Sequence, residues 1–199
     1  MPTLPKVLIA LFAVLVLAFV AGCGGGDDDE PMRSGAGNGT DAAFVAGMVP
    51  HHEGAIEMAQ LARKQAEHRQ VRALAEDIIT AQKAEIAVLG RIADDLRQMG
   101  VEAGDLGMSE HEMGMADMEG LDGAKPFDRR FLDLMIPHHE GAVAMARKEL
   151  EDGEQATLRK MAQDIITAQE REIAQMRRWR TAWYGEAAGD DAHDQGAHG

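Results

Sequence analysis

Cysteine is nearly absent. The chain of 199 residues holds one, Cys23, so no disulfide forms within it. Aromatic residues are 4% of the total. Strand-favouring side chains are correspondingly few, and the abundance of Ala, Glu, Gln, Arg and Met favours helix. Positive charge is scarce too: 20 Lys and Arg stand against 34 Asp and Glu, a net charge of −14. That balance excludes nucleic acid as a partner, because phosphates demand the opposite sign. It suits an acidic protein that collects cations. Long hydrophobic runs are confined to Val7–Val20, just after Lys6. That run is shorter than the ~20 residues of a spanning helix and fits the core of a secretory signal.

What is present is enough for one ordinary domain, since 45% of the residues are apolar. The early run ends in Val20-Ala21-Gly22-Cys23, which resembles the lipobox of bacterial lipoproteins. The resemblance implies a signal peptide at 1–22, lipidation of Cys23, and a chain anchored by that lipid to the outer, extracytoplasmic face of the cell membrane. Residues 23–40 are Gly-rich and acidic. They have too little apolar area to offset ordering entropy and read as a flexible tether.

The body of the chain uses one stretch twice. Phe44 to Ala59 contains Met48-Val49-Pro50-His51-His52, and Phe131 to Ala146 contains Met135-Ile136-Pro137-His138-His139, 87 residues later. Ala75–Ile86 (AEDIITAQKAEI) and Ala162–Ile173 (AQDIITAQEREI) keep the same offset. The unit is a duplicated pair of segments, at about 41–99 and 128–184, and a single such unit rarely buries its own apolar face. Within it, Phe44, Met48, His51, Ala55, Met58 and Ala62 step by 4, 3, 4, 3 and 4 residues, an apolar helical seam. The histidines fall in or beside that seam, while Glu53 and Glu140 fall opposite and read as surface groups. Asp41 and Asp128 are candidate N-caps. Pro50 and Pro137 lie deep inside the helical pattern, where each removes one backbone bond. Gly54 and Gly141 leave room for a partner helix.

A second helix is expected over Gln70–Met99, with its copy from about Glu154 to Tyr184. The turn before the copy is marked by Asp152-Gly153; the turn near Gln65 is inferred from the repeat alone. Gln82 and Glu85 lie inside the apolar stripe of Ile78, Ile86 and Leu89, as do Gln169 and Glu172 in the copy. Buried polar groups need partners, and imidazoles from the first helix of each unit would serve. Between the units, Met108 to Met118 holds four Met and His111. It reads either as a second soft-metal site or as a connector over the bundle, with Ser109 and Glu112 framing a short helix. The tail, 185–199, is polar and reads as disordered, with His193 and His198 as weak metal ligands.

Four His therefore converge with Met48, Met58, Met135 and Met145. Thioether sulfur selects soft ions such as Cu(I), imidazole accepts copper as well as other transition metals, and the lack of thiolate suits an exported protein. Core histidines bonded to Gln and Glu, in a metal-free structural or interaction module, are one alternative. A ferritin-like di-metal oxidase is another. Such a bundle needs Glu-x-x-His, where this chain has Met48-x-x-His51 and Met135-x-x-His138, so half of the oxygen ligands are missing. No Ser-His-Asp order, phosphate loop or nucleophilic Cys marks an enzyme.

The pattern Phe-x-x-x-Met-x-Pro-His-His-x-x-Ala-x-x-Met-Ala, followed by Asp-Ile-Ile-x-x-Gln-x-x-Glu-Ile, resembles domain-of-unknown-function family 305 over about residues 41–184. The resemblance implies a ferritin-like four-helix bundle and copper binding of the CopM type, with His51, His52, His138, His139 and the adjacent Met as ligands. Gly47 departs from the repeat, since the second copy has Leu134 there, and Met113 to Met118 is unusually rich in Met and Gly. The expected protein is an all-α, lipid-anchored copper binder of two repeated helical hairpins, with Gln82, Glu85, Gln169 and Glu172 behind the ligands and no catalytic residues. The oligomeric state is left open.

Overall fold

A computed structural model describes residues 37–115 and 118–185. The signal sequence, Cys23, nearly all of the tether and the tail histidines lie outside the described residues. Four helices follow in order: α1 Gly39–Gln65, α2 Arg69–Gln98, α3 Phe127–Asp152 and α4 Ala156–Tyr184. Pro50 and Pro137 both lie inside their helices. Three-residue connections join α1 to α2 and α3 to α4, so each repeat is a helical hairpin. The hairpins pack through α1 against α3, and the remaining helix pairs touch only slightly. Among the described residues, no helix is long and apolar enough to cross a membrane.

The seam expected on α1 is fully buried, from Phe44 through Met48, His51, Ala55 and Met58 to Ala62. The apolar core divides in two. One cluster joins Met58, Ala62, Ile78, Phe131 and Met135 with the C-terminal part of α4. The other joins Phe44, Met48, Leu89, Met145 and Ile165. The paired histidines belong to neither and lie between them along α1 and α3. Burial of the two clusters supplies the main driving force for docking the hairpins, at roughly 25 cal/mol per Å² of apolar surface.

Asp41 and Asp128 are not N-caps. Asn38 caps α1, its side chain accepting from Thr40 and Asp41, while Asp41 reaches back to the Asn38 N–H at 2.6 Å as the third residue of a capping box. α3 has Pro126 at its N-cap and no side-chain cap. Both aspartates instead tie the repeats together. Asp41 accepts from the N–H groups of Glu154 (3.2 Å) and Gln155 (2.9 Å) in the α3–α4 turn. Asp128 accepts from Glu67 (2.9 Å) and His68 (2.8 Å) in the α1–α2 turn. Each fully buried carboxylate thus satisfies donors at the start of a helix in the other hairpin.

The linker between the hairpins runs along the packed pair. Gly104 N–H bonds Gly39 O at 2.8 Å near the start of α1, and Leu121 ends fully buried in the opposite cluster. The short helix expected at Ser109 is only a turn over 110–114. Ser109 and Glu112 do bond each other, but Gly114 takes a positive φ of 69° and ends the turn. At the end of α4, Trp183 stacks on His68 with ring centroids 3.7 Å apart, and Trp179 stacks on Trp183 at 5.5 Å.

Candidate metal centre

The repeat places four imidazoles in a row through the middle of the molecule. His51 and His138 face each other with centroids 3.7 Å apart. His52 lies 6.2 Å from His51 on one side, and His139 lies 6.4 Å from His138 on the other. None exceeds 2% exposure. Gly54 lies against the pair, and a Cβ there would stand 3.5 Å from His138 Nε2, an ordinary contact distance. Gly141 does not face a helix as the repeat suggests. Its Cβ would meet Met113 O at 2.0 Å, so the linker backbone lies against it.

Hydrogen-bond partners fix the tautomer of two of the four rings. His51 Nε2 donates to His138 O at 3.0 Å, and His139 Nε2 donates to Glu172 Oε2 at 2.9 Å. His52 Nε2 lies 2.7 Å from Glu85 Oε2, but out of line for a good hydrogen bond. With Nε2 protonated, Nδ1 carries the lone pair. The Nδ1 atoms of all four histidines are buried and have no partner. Gln82 and Gln169 are 3% exposed, and their Oε1 atoms are likewise unpartnered.

Burial pulls His51 down to about 3; the neighbouring His52 and His139 add to this, and backbone hydrogen bonds to His138 and Met113 oppose it. Burial also pulls His138 down to about 2, helped by His51, His139 and His52. Both rings are therefore neutral at pH 7, the form that coordinates metal. Met48, Met58, Met135 and Met145 all have zero exposure. Met48 and Met145 lie in one apolar cluster, Met58 and Met135 in the other. Among the described residues, no three His, Cys, Asp or Glu side chains gather closely enough to hold a metal ion. Imidazoles here need donors of another kind to complete a shell, and thioethers are the buried ones to either side.

Glu53 is exposed and Glu140 is half-buried, paired with Arg177, so neither reaches the histidines. Sequence reasoning missed the Met113 backbone beside His51. Helical spacing cannot signal a contact made by an irregular segment.

Two hairpins of one repeat, closed around paired histidines, define a class of duplicated four-helix proteins. The model of the domain of unknown function DUF305 matches residues 41–180, and the chain belongs to that family. It is similar to CopM in the Cu(I)-bound form, with 36% identity, 73% of this chain and 98% of that chain covered, and a TM-score of 0.63. It is also similar to a DUF305 fragment from Deinococcus radiodurans (30%, 72% and 96%, TM-score 0.61). A third relative is a putative secreted DUF305 protein from Streptomyces coelicolor (27%, 70% and 91%, TM-score 0.60). Among curated proteins, none matches.

Proposed function

We propose that this protein binds copper as Cu(I) through His51, His52, His138 and His139 with Met48, Met58, Met135 and Met145. On this reading it holds the ion at the extracytoplasmic face of the membrane, tethered by lipidated Cys23, for sequestration or delivery, and is a carrier rather than an enzyme. The observation that carries the reading is the set of four buried, unpartnered Nδ1 atoms between two pairs of buried thioethers. Empty polar atoms in an apolar interior are costly, and a soft cation would satisfy them. Glu85 and Glu172 support the reading, since outer acceptors orient ligand imidazoles and raise their basicity. The CopM relative has been solved with Cu(I), with Cu(II) and with Ag.

The test offers Cu(I), Cu(II), Zn(II) and Fe(II) separately to the purified 24–199 fragment. The expected result is tightest retention of Cu(I). A Met48→Glu/Met135→Glu variant should lose Cu(I) affinity and gain affinity for Fe(II) or Mn(II), because a hard oxygen replaces a soft sulfur. Unchanged Cu(I) affinity in that variant would leave the methionines as core packing and remove the reading.

A further inference from the structure

We propose that Met108, Met113 and Met115 of the linker form a second thioether site, an inlet through which soft monovalent ions pass to Met48 and Met145. The proposal rests on the soft-metal reading above and adds a route to it.

The three sulfur-bearing residues run from solvent to core. Met115 is 41% exposed, where a hydrophobic side chain gains little. Met108 and Met113 are half-buried and pack against the cluster that contains Met48 and Met145. The Met113 backbone is pinned on α3. It lies against Gly141, where any Cβ would collide. Gly114 is held equally closely, since its Cβ would meet Pro137 O at 2.5 Å. A pinned backbone gives the Met113 side chain a fixed place beside the histidine row.

The inner sulfur borders the linker on this side. A Cβ at Gly47 would stand 3.4 Å from Met145 Sδ and 3.9 Å from Leu106 Cδ1. Gly47 thus leaves the Met145 sulfur next to the linker. The repeat-related position on α3 carries Leu134, which is buried and fills that space. Of the linker methionines, only Met118 packs on the cluster of Met58 and Met135. The two thioether pairs are related by the repeat, yet only one has a graded series of sulfurs leading to it. Core filling alone accounts for neither the exposed Met115 nor the missing side chain at Gly47.

The transfer is ligand exchange. A sulfur–metal bond forms to the inner thioether as the bond to the outer one breaks. No proton or electron moves, because thioethers do not titrate and the ion keeps its charge.

Ag(I), a soft monovalent ion without redox chemistry, is the probe. Its uptake by the full chain is followed by stopped flow, and its affinity is measured by competition at equilibrium. Three variants are compared: Met113→Leu/Met115→Leu, which keeps apolar volume; Gly47→Leu, which copies the residue found in the second repeat; and Met99→Leu, at an exposed site beyond the end of α2. The first two should slow filling of the inner histidine–methionine site roughly tenfold with the affinity of that inner site unchanged, and Met99→Leu should match the parent. In methyl NMR of the parent, Met113 and Met145 should shift before Met58 and Met135. Uptake at parental speed in both linker-side variants overturns the inlet. So does a lower equilibrium affinity of the inner site at unchanged speed, which would make Met113 a resident ligand there, and so does earlier shifting of Met58 and Met135. A parent that binds no Ag(I) overturns the soft-metal reading itself, which is a distinct result.

Discussion

Glu149 sits at zero exposure in the last turn of α3, with neither carboxyl oxygen bonded to a nitrogen donor. The Asp41 carboxylate lies beside it, and the contact becomes a hydrogen bond only when the two share a proton. Burial first, then Asp41, pushes the Glu149 carboxyl up to about 8, against the opposing charge of Arg159. The unfolded chain releases this proton near 4.5, so the native state holds more protons between those values. Stability should therefore fall as pH rises through that window, by about 1.4 kcal/mol per pH unit. Glu149→Gln keeps the shape and removes the slope. Melting curves at pH 5 and pH 8 should show a steep loss in the parent and a smaller one in the variant. Equal losses would mean that the buried carboxyl is already ionised. Nothing in the sequence marks Glu149, because Lys148-Glu149-Leu150-Glu151-Asp152 reads as an ordinary solvated helix end. The histidines were legible for the opposite reason: their spacing places them within an apolar seam, which local pattern reports directly.

At the scale of elements, periodicity found all four helices, the buried Gln82 and Gln169 and the half-buried Glu85 and Glu172 of α2 and α4. It reports which face is covered but not by what. Hence Asp41 and Asp128 read as local caps, although their carboxylates serve the turns of the other hairpin. Hence also Gly141 read as a helix contact, when the linker occupies it. The second point has a measurable outcome. Gly141→Ala puts a methyl into the Met113 carbonyl, so either the linker lifts or the helices part. The linker is the weaker element, held by turns and few buried groups. Faster amide exchange at Met113, Gly114 and Met115 is expected, with α1 and α3 protection nearly unchanged and a stability loss of about 1–3 kcal/mol, as for other overpacking changes. Uniformly faster exchange across α1 and α3 would instead show the linker to be as rigid as the bundle.

Over the whole molecule, a polar row divides two apolar clusters, and every helix passes through both. The 87-residue offset implied a symmetric arrangement of hairpins, and the crossed Asp41 and Asp128 contacts follow it. The single linker breaks it, because one segment lies along a pair of equivalent halves. The aromatic residues are distributed still less evenly. Both tryptophans and the one tyrosine lie at the end of α4, with Trp183 stacked on the imidazole of His68. Intrinsic fluorescence is therefore a local probe of one end, while circular dichroism at 222 nm sums all four helices. Continuous helices of 26 to 30 residues should make the two signals melt together, as two-state unfolding requires. A fluorescence transition at lower temperature than the loss of ellipticity would mean that the aromatic end loosens first, and that the histidine row marks a boundary between two cooperative units.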